Sequence, residues 1–330
     1  LDIILRERRQ ELTWEMDRTG AGAALENNLG AARLRAGARV ERRQLREVDT
    51  GALLDGEVWA DLVNVDDPLL PTTWRVQEKM TALAVFDLRD DPIRPRSGLL
   101  FSLNGEWAPG VKWSADIDRT SFVKGDVRAT AFLPMFGLVF KLSTEAGLGR
   151  SLTDAPIPLE DRYRLGGTGS LRGFRRDGVG PRNIAPDLSV AWPGAIDPVI
   201  DYIGRNAPDR WVPTGGDAMN VSTAELLMPL SALGATGWEG YALAVFADVG
   251  QAWLLGADAD SDGRTVADLV PDWRYGVGAG VRIATPVGPL QFDVAVNPQV
   301  MQSEGAQRQL LSVLWEEPPV RAHLTLGATF

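Results

Sequence analysis

The stretch Tyr275-Gly-Val-Gly-Ala-Gly-Val-Arg-Ile-Ala-Thr-Pro-Val-Gly-Pro-Leu-Gln-Phe-Asp-Val-Ala-Val-Asn-Pro298 decides how the rest of the chain is read. Val277, Ala279, Val281 and Ile283 alternate with Gly276, Gly278, Gly280 and Arg282. After a Pro/Gly turn at Thr285–Pro289, Leu290, Phe292, Val294 and Val296 alternate with Gln291, Asp293, Ala295 and Asn297. A period of two puts alternate side chains on opposite faces, so this is a hairpin of two strands with one apolar face.

The same period runs outward in both directions. Ala322, Leu324, Leu326, Ala328 and Phe330 alternate with His323, Thr325, Gly327 and Thr329. Tyr241–Gly250, Leu138–Leu142, Leu99–Leu103 and Ala32–Glu41 repeat the pattern. The second face carries Arg, Glu, Asp, Thr and Gly. Runs of about ten residues suit tilted strands that cross a bilayer, apolar side out and polar side toward a lumen. Only a closed barrel satisfies every backbone group in lipid with strands.

The connections alternate in length. Short ones fall near Asn27–Gly30, Asp90–Ser97, Pro134–Gly137, Ser231–Gly240 and Thr285–Pro289. Long ones fall near Asp49–Arg75, Pro109–Thr120, Ser151–Gly216, Leu254–Trp273 and Pro298–Arg321. Short turns on one rim and long loops on the other are expected of an outer-membrane barrel. Trp107, Trp113, Trp238, Trp253 and Trp273 lie at strand ends, where aromatic girdles sit. The fold class expected is therefore all-β, a transmembrane antiparallel β-barrel occupying residues 1–330. About twelve strands are present, the first only a stub near Asp2–Arg8.

Composition narrows the chemistry. The 330 residues contain no Cys and a single His, which removes disulfides, thiolate metal sites and Cys nucleophiles. A net charge of −10 argues against nucleic acid as a partner. No acid/base dyad can be assigned from the carboxylates, so no enzyme and no cofactor are expected. Asp258-Ala-Asp260-Ser-Asp262-Gly263 resembles the start of a calcium loop, but Leu269 stands where the ligating Glu is needed. A solvated acidic turn is the preferred reading there, with Asp258, Asp260 and Asp262 as a weak Ca²⁺ candidate. His323, on the polar face of the last strand, is read as structural.

The longest connection holds Asp161-Arg-Tyr-Arg-Leu-Gly-Gly-Thr-Gly-Ser-Leu-Arg-Gly-Phe174. Gly167-Thr-Gly169 continues into neither a dinucleotide fingerprint nor a Walker lysine. The stretch instead resembles the signature loop of the BamA/TamA superfamily of outer-membrane assembly proteins, in which an Arg-Gly-Phe/Tyr core folds back into the lumen. Gly215–Leu230, Val245–Trp253, Tyr275–Pro298, the Ala322–Phe330 strand and the Val85–Gly98 turn resemble further family segments in the same order, over about residues 76–330.

The resemblance implies that the loop within 151–216 enters the lumen with Arg172, Gly173 and Phe174. Arg172 would meet inner-wall acids at Glu225 and Asp248 as a structural staple, with Phe174 packed beneath it. It implies sixteen strands preceded by POTRA domains, with about four strands and those domains lying N-terminal to this chain. It also implies a bacterial outer-membrane insertase that folds other barrels without ATP. Leu324, Leu326 and Phe330 would form one side of a lateral seam. The implied partners are unfolded outer-membrane proteins, the lipid bilayer, and periplasmic, lipoprotein or inner-membrane assembly factors. Alternatives of another class are a two-partner polypeptide-secretion pore, a plain porin, and a barrel translocator fused to an enzymatic domain.

Overall fold

A computed structural model describes residues 2–10, 15–46, 74–110, 121–153, 157–181, 215–234, 237–238, 240–255, 273–285, 288–304 and 317–327. Phe330 and the Asp258, Asp260 and Asp262 turn lie outside the described residues.

Twelve strands follow one another in chain order: β1 (Asp2–Gln10), β2 (Glu15–Leu29), β3 (Ala32–Arg46), β4 (Arg75–Asp87), β5 (Gly98–Ala108), β6 (Phe122–Met135), β7 (Leu138–Ser151), β8 (Ala218–Pro229), β9 (Tyr241–Trp253), β10 (Arg274–Thr285), β11 (Gly288–Val296) and β12 (Val320–Leu326). They make one antiparallel meander in which each strand pairs with its chain neighbours. β1 is a nine-residue strand rather than a stub. A one-turn helix, α1 (Pro298–Gln302), follows β11 and is capped by the Asn297 side chain. The fold is the antiparallel barrel sheet that the period-two pattern predicts.

Turn chemistry sets the register. β6 and β7 are joined by Phe136-Gly137, with φ of 52° and 80°. Positive φ at both central residues matches the right-handed strand twist of a two-residue hairpin. The β4–β5 turn is held by Asp90, whose Oδ1 accepts the backbone N–H groups of Asp91, Arg96 and Ser97. Those donors, from Arg96 and Ser97 first, hold its carboxyl below the usual carboxylate range.

The two faces differ as parity requires. Leu103 is 52% exposed and Leu324 is 68% exposed on the outward face. Val245, Val277, Phe292 and Val294 continue that band, and an apolar outer band is the lipid face of a membrane barrel. The inner face is concave. Residues 157–181 touch Arg43 on β3, Lys79 on β4, Asp248 on β9 and His323 on β12. Across a flat sheet β3 and β12 would stand about 43 Å apart at ~4.8 Å per strand. Only a strongly curled sheet brings both to one compact loop.

Candidate functional site

The loop that occupies the inner face is shaped by glycine and by short bridges. Tyr163 pairs with Gly216 and Leu165 with Val179, folding the segment into a narrow hairpin. Gly166 and Gly167 take φ of 118° and 87°, left-handed values that favour glycine. A Cβ on Gly166 would overlap the carbonyl oxygen of Arg175. Leu165, Leu171, Phe174 and Val179 pack with Met219, Val221 and Ala252 of the wall into a small apolar core.

Each residue of Arg172-Gly173-Phe174 has its own receptor on the β8–β12 wall. Arg172 grips Asp248 in a bidentate fork, Nε to Oδ2 and Nη2 to Oδ1 both at 2.8 Å. Its backbone N–H adds a third bond to Oδ2 at 3.0 Å. Its Nη1 reaches Asp293 Oδ2 at 3.3 Å and Glu225 Oε2 at 3.8 Å. The guanidinium lies over the Phe246 ring, 3.3 Å from the centroid. Gly173 donates its N–H to His323 Nε2 at 3.1 Å. Phe174 is fully buried, with Arg274 5.3 Å above its ring.

The ring that Arg172 stacks on is therefore Phe246, not Phe174. Gly173 at φ 93° turns the chain between Arg172 and Phe174, sending the two side chains to different receptors. Phe246 and Asp248 are two apart on β9 and so share the inner face.

Three cations and three carboxylates balance in this cluster. Arg282 bridges Asp293 (Nη1 to Oδ1, 2.6 Å) and Glu225 (Nε to Oε1, 3.1 Å), and Lys141 stands 3.7 Å from Glu225. Thr223 donates to Asp248 at 2.9 Å. Buried charges are tolerated when paired and hydrogen-bonded in this way. The arrangement binds and orients; none of its groups is placed as a nucleophile with a base.

The sequence alone does not mark Asp293, Arg282, Phe246 and His323 as partners of the loop. A signal for them existed in Gly276, Gly278 and Gly280, which face inward in succession along β10. A Cβ on Gly276 would overlap the Arg172 carbonyl oxygen, and one on Gly280 would overlap Asp293 Oδ1. Inward glycines at period two mark where another backbone seats on the strand.

The start of the loop is fixed on the opposite wall with the charges reversed. Here the loop supplies the carboxylate and the wall supplies the cations. Asp161 accepts from Arg43 Nη1 at 2.9 Å and from Lys79, and its backbone carbonyl accepts from Lys124. Arg43 also reaches Glu160 at 3.1 Å and Glu41 at 3.3 Å. Burial pushes the Asp161 carboxyl up, but Arg43 and Lys79 outweigh it and hold it far below the usual range. Tyr163 lies under Lys124, 4.2 Å from ring to Nζ, and donates its hydroxyl to the Gly125 carbonyl at 2.9 Å. Gly147 opposite leaves the space that ring needs.

Among the described residues no group of His, Cys, Asp and Glu side chains is arranged to hold a metal ion. Leu324 and Leu326 face outward on β12.

Comparison with known proteins places this geometry. Residues 6–313 match the family model for the Omp85 superfamily domain. Sorting and assembly machinery component 50 homologs of Mus musculus and Homo sapiens are 32% and 31% identical over 124 residues, 37% of this chain and 25% of each relative. Outer membrane protein assembly factor BamA of Neisseria meningitidis serogroup B is 26% identical over 233 residues, 62% of this chain and 24% of that protein. The chain thus spans about a quarter of the length of these curated relatives. The crystal structure of BamA from Haemophilus ducreyi lacking POTRA domains 1–3 superimposes with a TM-score of 0.64 at 16% identity, over 89% of this chain and 52% of that one, and shares the fold. This chain belongs to the Omp85 superfamily, as an outer-membrane β-barrel of the BamA/TamA type.

Proposed function

We propose that this chain is the barrel of a bacterial outer-membrane insertase, which folds and inserts other β-barrel proteins through a lateral seam bounded by β12. The work is templating rather than covalent chemistry. An unpaired strand edge offers a row of N–H and C=O groups to an incoming strand. The observation that carries the reading is the position of β12. It pairs with β11, and the docked loop reaches it from inside through Gly173 and His323. The strand that bounds the proposed seam is thereby tied to an interior element.

The names of the relatives support the same class. One is an outer membrane protein assembly factor, and others are sorting and assembly components. On this reading the substrates are unfolded outer-membrane proteins, met with the help of periplasmic or lipoprotein partners. The cluster around Arg172, with Glu225 and Asp248, is a structural staple for the loop, and Leu324 and Leu326 belong to the seam strand.

The test uses the complete protein in liposomes with a urea-denatured outer-membrane protein as substrate. Folding is followed by heat-modifiable mobility on a gel. Catalysed folding is expected, and a disulfide joining the first strand of the barrel to β12 should abolish it. Undiminished folding by the locked protein would remove the seam from the mechanism. Export of one dedicated polypeptide without any effect on barrel folding would identify a secretion pore instead.

A further inference from the structure

The single histidine of the chain is where the loop meets the seam strand. His323 lies on the inner face of β12, directly across from Asp293 of β11. It is 7% exposed, and its Nε2 accepts the backbone N–H of Gly173 at 3.1 Å. An imidazole accepts at Nε2 only when neutral, with its proton on Nδ1. Protonation places a second N–H against the Gly173 N–H, donor against donor.

We propose that His323 is a positioning residue that works as a proton-released latch: neutral, it holds the loop tip to β12; protonated, it lets the strand part from the loop. The proposal takes β12 as the seam strand and in that respect rests on the insertase reading. It goes beyond that reading in assigning a control over the strand.

The charged groups around the ring come from four elements. Asp293 on β11 and Asp248 on β9 are the acids that face it, and Arg172 in the loop and Arg321 on β12 itself are the cations. Both acids already serve Arg172, and Asp293 also serves Arg282, so a protonated His323 would compete with Arg172 and Arg282 for them. The other anchors of the loop tip, Arg172 to Asp248 and to Asp293 and Phe174 against Arg274, lie on β9, β11 and β10 and none of them on β12. Loss of the Gly173 contact therefore releases β12 from the loop and leaves it held by its pairing with β11, while the loop stays docked on the wall behind it. An acid-triggered weakening confined to the terminal strand is the kind of bias a two-state gate needs.

The absence of cysteine in this chain makes the experiment direct. Spin labels are attached at Thr168→Cys in the loop and Leu324→Cys on β12, both exposed, in the complete protein in liposomes. The distance distribution is measured at pH 7.5 and pH 5. Wild type should give one narrow distance at pH 7.5. A second, longer population should grow about tenfold at pH 5, the effect of leaving one buried N–H without its acceptor. His323→Gln presents a carbonyl oxygen that does not titrate, and should stay narrow at both values. His323→Leu should be broad at both.

A wild-type distribution that ignores pH overturns the latch. So does a His323→Gln protein that responds as wild type does, because another group would then be titrating. Heat-modifiable mobility checks that each variant is folded, and the Gln variant carries the test if the Leu variant is not. The distance readout needs no substrate. A protein with an intact latch and no folding activity would refute the insertase reading alone, and an active protein with a pH-blind distance would refute the latch alone.

Discussion

The guanidinium of Arg172 lies 3.3 Å from the centroid of the Phe246 ring while its Nε and Nη2 hold both oxygens of Asp248, two residues further along the same strand. One strand thus supplies a flat apolar floor and a bidentate acceptor to a single planar cation. Arginine is suited to both contacts at once, and lysine to neither in the same way.

Removal of that cation should be costly. Arg172→Ala leaves Asp248 buried with Thr223 as its remaining side-chain donor, and takes one of three cations from a balanced cluster. Breaking a buried pair from one side costs about 3–5 kcal/mol. The denaturation midpoint of the folded barrel in detergent, followed by gel mobility, should fall accordingly. Arg172→Lys should recover only part of the loss, because the fork and the stacking both go. A midpoint unchanged in Arg172→Ala would mean that the loop is held elsewhere.

Gly276 should tolerate no side chain. A Cβ there overlaps the carbonyl oxygen of Arg172, so Gly276→Ala should lift the loop tip from β10. Protease cleavage between residues 157 and 181 should rise while the barrel stays heat-modifiable. Gly105→Ala is the control, since its nearest neighbour would stand 4.0 Å away, and cleavage there should match wild type.

Asp161 should make stability depend on acid. Its folded-state carboxyl is held below the usual range, so its contribution is complete above the unfolded value near ~3.9 and is lost as pH falls through the lower folded value. Unfolding midpoints of wild type and Asp161→Asn should differ most at neutral pH and converge under strongly acidic conditions. A constant difference down to the most acidic condition would mean that the ion pairs with Arg43 and Lys79 add nothing.

The membrane orientation predicts a parity effect on β5. Leu103 faces outward, and Asn104 faces inward beside Asp126, to which it donates at 3.0 Å. Leu103→Arg should lower folding stability in bilayers by about 2–4 kcal/mol, the cost of Arg on a lipid face near the midplane. Asn104→Arg, next to a carboxylate in a polar interior, should cost less than about 1 kcal/mol. Equal costs at the two positions would contradict the assignment of faces.

The pattern from Ala32–Glu41 to Ala322–Leu326 already shows the strands, their faces and their turns. Side-chain parity is a local property of extended backbone, so a single chain reads it out directly. Phe136-Gly137, Asp90–Ser97 and the glycines after Leu165 likewise carry their turn chemistry in the residues themselves. The resemblance also pointed to Arg172, Glu225 and Asp248 as neighbours, and the structure brings all three into one cluster.

Parity tells which face a residue occupies but not which inward residues meet around the circumference. That depends on strand register, on the curl of the sheet and on the height at which the loop enters. Phe246 rather than Phe174 lies under Arg172 because Gly173 at φ 93° turns the chain between the two loop side chains. Asp293 joins Arg172 across β10 because inward glycines leave room, Gly276 for the loop backbone at Arg172, Gly278 for the Phe246 ring and Gly280 for the Asp293 carboxylate. Asp161 finds Arg43 and Lys79 on the far wall, and Gly173 finds His323 on the last strand, only because the sheet curls. Alternation along long strands, with connections of alternating length, points to a membrane barrel; the curl of the sheet in space decides which of its inward charges become partners.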